Sequence, residues 1–125
     1  MNLKTQYMNP SLLDQAEEFR AAYNLPVTGT SGRPTQKCLI DEEWSEFHEA
    51  YHHEPEENQL NELADLVYVC YQFAASQEWD LDEAMRRVHK SNMSKLGEDG
   101  KPIYRGDGKV LKGPNYKPPT LTDLI

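Results

Sequence analysis

The sequence predicts an all-α fold: a four-helix bundle followed by an irregular C-terminal tail. Apolar residues recur at helical spacing in four segments of residues 1–97. Glycine and proline cluster between the first two segments and again after residue 97. A chain of 125 residues is long enough for one domain with a modest core. We therefore expect a helical domain over residues 1–97 and a basic tail over residues 98–125.

The first predicted helix follows Pro10 and runs to about Tyr23. Ser11 is suited to cap its N-terminus, and Asp14 stands three residues later, as in a capping box. The segment 25–34 contains two prolines and two glycines, which predict a loop. The apolar positions of the helix are Leu12, Leu13, Ala16, Phe19 and Tyr23.

The second and third helices are predicted from about Thr35 to His53 and from about Glu57 to Gln77. The second carries an apolar stripe, whereas the third is apolar on nearly every side. A helix of the latter kind is normally buried. One domain of this size can hardly surround it, so we expect part of the third helix to lie in a subunit interface. The stripe of the second helix consists of Leu39, Ile40, Trp44, Phe47, Ala50 and Tyr51.

The fourth helix is predicted to follow Asp80 and to end near Leu96 and Gly97. Acidic residues lie in its first turn and basic residues later, an order that suits the helix dipole. In the tail, residues 103–105 and 109–111 flank a Gly-Asp-Gly turn and predict a short hairpin.

The charge of the chain is divided unevenly between its two ends. Residues 1–85 carry four Lys or Arg against 17 Asp or Glu, whereas residues 86–125 carry nine against four. The acidic body argues against a nucleic acid polymer as ligand. The basic segment from Arg86 to Lys117 suits a small anion, or it is simply a solvated tail. The sequence shows no signal peptide and no membrane-spanning segment, and its two cysteines match no disulfide framework, so we expect a cytoplasmic protein.

Two acidic clusters interrupt the second and third helices. Glu42, Glu43 and Glu46 lie in the second helix; Glu62 and Asp65 follow in the third. Residues three apart lie one turn apart on one helix face, so facing helices would bring these carboxylates together. Because isolated buried charges are costly, such a set indicates a hard divalent cation, Mg²⁺ or Mn²⁺. The first cluster alone would fit a solvated helix face.

The paired motif Glu-Glu-x-x-Glu and Glu-x-x-Asp on consecutive helices resembles the MazG-like all-α nucleoside triphosphate pyrophosphohydrolases. Relatives of that family include phosphoribosyl-ATP pyrophosphohydrolase and the helical dUTPases and dCTPases. The resemblance covers about residues 35–97, and the segments 90–97 and 107–116 look like those of stand-alone bacterial and phage-encoded members. It implies a four-helix bundle of that family's type, which would assemble as a homodimer or homotetramer through the third helix. It also implies hydrolysis between the α and β phosphates to a monophosphate and pyrophosphate.

By match to the family motif, Glu43, Glu46, Glu62 and Asp65 would hold Mg²⁺. Glu42 is our candidate for the carboxylate that activates the attacking water, although a solvent-facing role or an extra ligand fits it nearly as well. The tail would pack on or near the active site. The residues expected to meet the substrate phosphates or to close over the substrate are Lys90, Asn92, Lys95, Lys109, Lys112 and Tyr116.

The identity of the base and the sugar stays open at this stage. Only sixteen residues separate Glu46 from Glu62, whereas longer links help to form the base pocket in some relatives. Gln36, Trp44 and Tyr68 are conceivable base contacts, although we expect the two aromatic residues to pack in the core.

Three alternatives to a nucleoside triphosphate pyrophosphohydrolase remain, one with another substrate and two with another function. The first is phosphoribosyl-ATP as the substrate. The second is a non-catalytic acidic helical interaction module, which would not explain Asp65 within an apolar helix. The third is a di-iron site built on Glu49 and His52, which would need a second Glu-x-x-His unit that the sequence lacks.

Overall fold

The computed structural model describes residues 9–125 and confirms the all-α prediction. Over these residues it contains four α-helices, two short 3-10 turns and no β-strand. The chain divides into two compact units, the first ending at Leu81 and the second comprising Asp82–Ile125. The predicted boundary at residue 97 stays a prediction. None of the helices in residues 9–125 has the length and apolar character of a membrane span. The helices are α1 (Leu12–Ala22), α2 (Arg33–His53), α3 (Glu56–Gln77) and α4 (Leu81–Met93).

The start of α1 is fixed by the predicted capping box. The backbone N–H of Asp14 donates to Ser11 Oγ at 3.1 Å, and the backbone N–H of Ser11 donates to Asp14 Oδ2 at 2.9 Å. These bonds satisfy two of the donors that a helix N-terminus otherwise leaves unpaired. The helix ends at Ala22, with Tyr23 as its C-cap residue, close to the predicted end.

Helices α2 and α3 form a helical hairpin in the first unit. Helix α2 begins at Arg33, two residues before the predicted start, because Pro34 fits the first turn of a helix, where its missing N–H is not needed. Helix α3 follows Pro55 and ends before Glu78, which adopts a left-handed conformation with φ 58°. Both α1 and α2 pack against α3, so α3 is the central helix of this unit.

The core of the first unit is small and lies between α1 and the second half of α3. Its buried apolar members are Leu13, Ala16, Tyr71, Ala74 and Ala75. Arg20 is also buried, and it is satisfied by neighbours: it donates to Gln72 Oε1 at 3.2 Å and to the Pro26 carbonyl at 2.7 Å. The guanidinium therefore ties α1, α3 and the following loop together.

The first half of α3 is not buried within this chain. Leu60 is 68% exposed and Leu63 is 42% exposed, so the apolar surface that the sequence predicted to be covered faces outward. Trp44 and Tyr68, expected in the core, are also exposed, at 55% and 40%. The expectation that these two rings pack inside the chain was wrong, because neither belongs to the buried cluster between α1 and α3.

The second unit consists of α4 and the tail. Helix α4 ends at Met93, about one turn before the predicted end. The predicted hairpin forms as a single antiparallel bridge between Tyr104 and Val110, next to a turn in which Gly108 has φ 89°. Such a positive φ is readily adopted by glycine. The tail is held to α4 by Arg87, which pairs with both carboxylate oxygens of Asp123 at 2.6 and 3.0 Å.

Candidate functional site

Three of the predicted metal ligands meet where α2 faces α3. Glu43 projects from α2, and Glu62 and Asp65 lie one turn apart on α3. One carboxylate oxygen from each lies within 4.8 Å of the others. Three carboxylates this close repel one another unless they share protons or a cation.

Two carboxylate oxygens of this group are buried without a hydrogen-bond partner in the described part of the chain. Oε2 of Glu43 and Oε2 of Glu62 are buried, and neither has a hydrogen-bond partner among the described residues. Buried polar atoms in proteins nearly always have a partner, and an unpaired buried carboxylate oxygen is especially costly. The two oxygen atoms therefore indicate a group that the polypeptide itself does not supply.

The electrostatics of the cluster agree with this geometry. Burial, followed by the nearby charge of Glu46, raises the pKa of Glu43 to about 7. Burial, followed by the neighbouring carboxyl group of Glu46, also raises the pKa of the Glu62 carboxyl above its usual value. A divalent cation would reverse both effects, because it favours the charged form of each carboxylate. An all-oxygen donor set of this kind fits a hard cation such as Mg²⁺ or Mn²⁺ better than zinc.

The remaining acidic candidates lie beside this group rather than in it. Glu46 is exposed and does not join the three oxygens that lie within 4.8 Å, but it interacts with both Glu43 and Glu62. Glu42 is exposed on α2.

Asp65 is also exposed, so the sequence argument that it interrupts a buried face was wrong. The buried carboxylate oxygens belong to Glu43 and Glu62 instead.

Gln36 is a further polar residue of α2 whose surroundings are unusual. Its Oε1 atom is buried and has no hydrogen-bond partner within residues 9–125. Gln36 precedes Glu43 by seven residues, which places it about two turns away on a similar face of the helix. An unpaired amide oxygen at this position is available to accept a hydrogen bond from a ligand.

The predicted phosphate-binding residues all lie in the second unit. Lys90 and Asn92 are exposed on α4, and Lys95 follows it. In the tail, the ammonium group of Lys112 lies 4.8 Å from the centroid of the Tyr116 ring. Lys109 is exposed beside the hairpin turn. The roles of these residues in substrate binding stay predictions.

The raised pKa of Glu43 predicts how the stability of the metal-free protein depends on pH. In the unfolded chain this carboxyl ionises near 4.5, whereas in the folded protein it keeps its proton up to about 7. The folded state thus binds more protons between these values, and the free energy of unfolding should fall as pH rises from about 4.5 to 7.

Thermal unfolding of EDTA-treated protein at pH 5 and pH 8 measures this effect. Glu43→Gln should raise the Tm at pH 8 by a few degrees, roughly 3–6 °C, and should reduce the difference between the two pH values. An unchanged pH dependence in this variant would show that Glu43 is not responsible for it.

Comparison with known protein families gives a match over much of the chain. Residues 14–92 match the model of the family described as phosphoribosyl-ATP pyrophosphohydrolase. A search of curated proteins gave no match. The matched range covers more than half of the chain and includes all five acidic candidates. The chain therefore belongs to the phosphoribosyl-ATP pyrophosphohydrolase family, which supports a metal-dependent, nucleotide pyrophosphohydrolase type of activity.

Proposed function

We propose that the protein hydrolyses a nucleoside or deoxynucleoside triphosphate between its α and β phosphates, with Mg²⁺ as the metal. The observation that carries this proposal is the convergence of Glu43, Glu62 and Asp65, with two buried oxygens that lack partners. Mg²⁺ bound by a few carboxylates keeps positions open for water and for substrate phosphates. The products are a nucleoside monophosphate and pyrophosphate.

The acidic residues divide into two proposed roles. Glu43, Glu46, Glu62 and Asp65 hold the metal, which when bound would polarise a phosphoryl oxygen and lower the pKa of a bound water. Glu42 accepts a proton from the attacking water while the water oxygen forms a bond to one of the two bridged phosphorus atoms. The bond from that phosphorus to the α–β bridging oxygen breaks, which releases the monophosphate and pyrophosphate. The exposed position of Glu42 on α2 leaves it accessible to solvent water.

The cationic and polar residues would bind the rest of the substrate. Phosphoryl transfer depends on positive groups that balance charge on the phosphate oxygens. The proposed phosphate contacts are those of the second unit, and Gln36 Oε1 is the proposed acceptor for an N–H group of the base. Such a contact would give the site a preference among bases. The phosphate contacts are Lys90, Asn92, Lys95, Lys109, Lys112 and Tyr116.

Phosphoribosyl-ATP is the second candidate substrate. The description of the matching family favours it directly. The reaction would be the same cleavage between α and β phosphates, so the acidic residues would keep the same roles. Only the groups that contact the base and the sugars would differ.

We further propose that the protein assembles through α3 into a homodimer or homotetramer. An apolar groove of about 380 Å³ in the first unit is lined by residues of α1 and of α3, including Leu12, Leu63 and Val67. Leu60, Leu63, Val67 and Tyr71 recur at intervals of three and four, the spacing of a helix–helix seam. A second copy offering the same helix would cover this surface.

Product analysis by ion-exchange chromatography tests the reaction. Purified protein is incubated with Mg²⁺ and, in turn, each common NTP and dNTP and phosphoribosyl-ATP. We expect monophosphate plus pyrophosphate from the triphosphates, and the ranking of rates would identify the base and the sugar. Faster turnover of phosphoribosyl-ATP would favour the second candidate.

Two results would contradict the proposal. Diphosphate plus orthophosphate would refute cleavage between the α and β phosphates. No turnover together with no Mg²⁺ binding, measured by calorimetry, would favour the acidic interaction module.

A further inference from the structure

The second unit contains a cavity whose lining includes one of the proposed phosphate contacts, Lys90, together with cations that the proposed function does not assign. It measures about 520 Å³ and lies between one face of α4 and the tail segment 117–120. This volume falls within the range of small-molecule sites, roughly 300–1,000 Å³. All the residues that line it belong to Asp82–Ile125.

The cavity is positively charged in a protein that is negatively charged overall. Its lining includes four cationic side chains and one carboxylate, that of Glu83, whereas the whole chain has a formal charge of −8. Three of the cations belong to one face of α4, and the fourth belongs to the tail. They are Arg86, Arg87, Lys90 and Lys117.

The four cations differ in whether a carboxylate of the protein already pairs with them. Arg87 is committed to Asp123 and also donates to the Thr120 carbonyl at 2.9 Å. Arg86 donates to Glu83 at 2.7 Å. By contrast, within residues 9–125 neither Lys90 nor Lys117 takes part in a salt bridge. Two ammonium groups thus remain for an anion.

The walls of the cavity are fixed by hydrogen bonds at both ends of the tail segment. Ser91 Oγ donates to the Lys117 carbonyl at 2.7 Å, and the Lys117 backbone N–H donates to Ser94 Oγ at 2.9 Å. Arg87 holds the other end through Thr120 and Asp123. Pro118 and Pro119 lie between these anchors and restrict the backbone further. A site held in this way is preorganised, which reduces the entropy lost on binding.

We propose that this cavity binds the phosphate groups of a small molecule, with Lys90 and Lys117 as the cations that contact them. Phosphate oxygens carry the charge density that ammonium groups bind as point charges. The proposal needs neither the acidic cluster nor hydrolysis. The phosphate could belong to free pyrophosphate or to a nucleotide, and the chemistry of the site is the same in both cases.

Calorimetric titration with pyrophosphate, with EDTA present to remove divalent cations, tests the proposal. The wild-type chain should bind pyrophosphate, and Lys117→Gln should weaken binding about tenfold, as expected for the loss of one charge-assisted contact. Lys117→Arg keeps the charge and should retain most of the affinity. Since Lys117 bonds to Ser91 and Ser94 only through its backbone, both variants should keep the wall intact.

Lys101→Gln is the matched control. It removes one charge from an exposed residue of the same unit that does not line the cavity, and it should leave affinity within about twofold. Titration with ATP in EDTA identifies the source of the phosphate. Weakening of both ligands by Lys117→Gln supports a nucleotide, and weakening of pyrophosphate alone supports the free anion. No binding to wild type, or equal losses in Lys117→Gln and Lys101→Gln, would overturn the proposal.

Discussion

Replacing Glu62 with glutamine is expected to reduce kcat/KM by at least about 100-fold, in line with the loss of charge stabilisation in a metal-assisted reaction. Glu62 contributes a buried oxygen without a partner and lies in the group of three carboxylates. Glutamine has nearly the same shape but lacks the negative charge that a hard cation requires. The measurement is the initial rate with Mg²⁺ over a range of metal concentrations.

The same substitution should make the metal-free protein more stable, not less. Without a cation, Glu62 adds one negative charge to a group that already includes Glu43 and Asp65. Removing that charge relieves repulsion, so the Tm in EDTA should rise while the stabilisation by added Mg²⁺ disappears. A purely structural glutamate would give the opposite result in EDTA.

Glu49→Gln provides the control for this experiment. Glu49 is an exposed glutamate of α2, and its ion pair with His53, at 3.7 Å, is also exposed. Its substitution should leave the rate within about twofold and the Tm nearly unchanged. If Glu62→Gln retained a rate close to that of Glu49→Gln, the acidic group would not be the metal centre of the reaction.

The helices could be predicted well because their signals are local. Ser11 and Asp14 form the capping box that their spacing indicates, and the prolines mark where helices begin. The burial of α3 was predicted less well, since it depends on which partners cover each face. Apolar periodicity shows that Leu60 and Leu63 need a covering surface, but it does not show whether that surface belongs to the same chain.

The convergence of the acidic residues could be predicted in part. Spacing predicted that the carboxylates of Glu43, Glu46, Glu62 and Asp65 converge. The structure brings one oxygen each of Glu43, Glu62 and Asp65 within 4.8 Å of one another, and Glu46 is not in that group. The sequence also suggested that Asp65 interrupts a buried face of the third helix, because its sequence neighbours are apolar. The structure instead buries oxygens of Glu43 and Glu62, because the facing helix, not the sequence neighbours, decides which carboxylate oxygens lose solvent. The cavity along α4 depends on the path of residues 117–120, which no local pattern reveals.

Introducing a charge into the apolar groove should dissociate the proposed oligomer. Leu63 lines this groove at the centre of the repeating positions of α3 and is 42% exposed in the single chain. If a second copy covers it, Leu63→Glu would bury an unpaired carboxylate at the interface, which costs far more than it does in solvent. Light scattering coupled to gel filtration should then report one chain of 14.4 kDa, where the wild type gives two or four.

Thr30→Glu is the control that separates a specific interface from a general effect of charge. Thr30 is an exposed residue of the same unit that does not line the groove, and its substitution adds the same charge. Thr30→Glu should leave the mass of the assembly unchanged. The Leu63→Glu protein should keep the helical content of the wild type, because glutamate is compatible with a helix at a position that is exposed in the single chain. A wild-type protein that elutes as a monomer would refute assembly through α3. The exposed leucines of that helix would then need another cover, and the acidic cluster between α2 and α3 would have to function within a single chain.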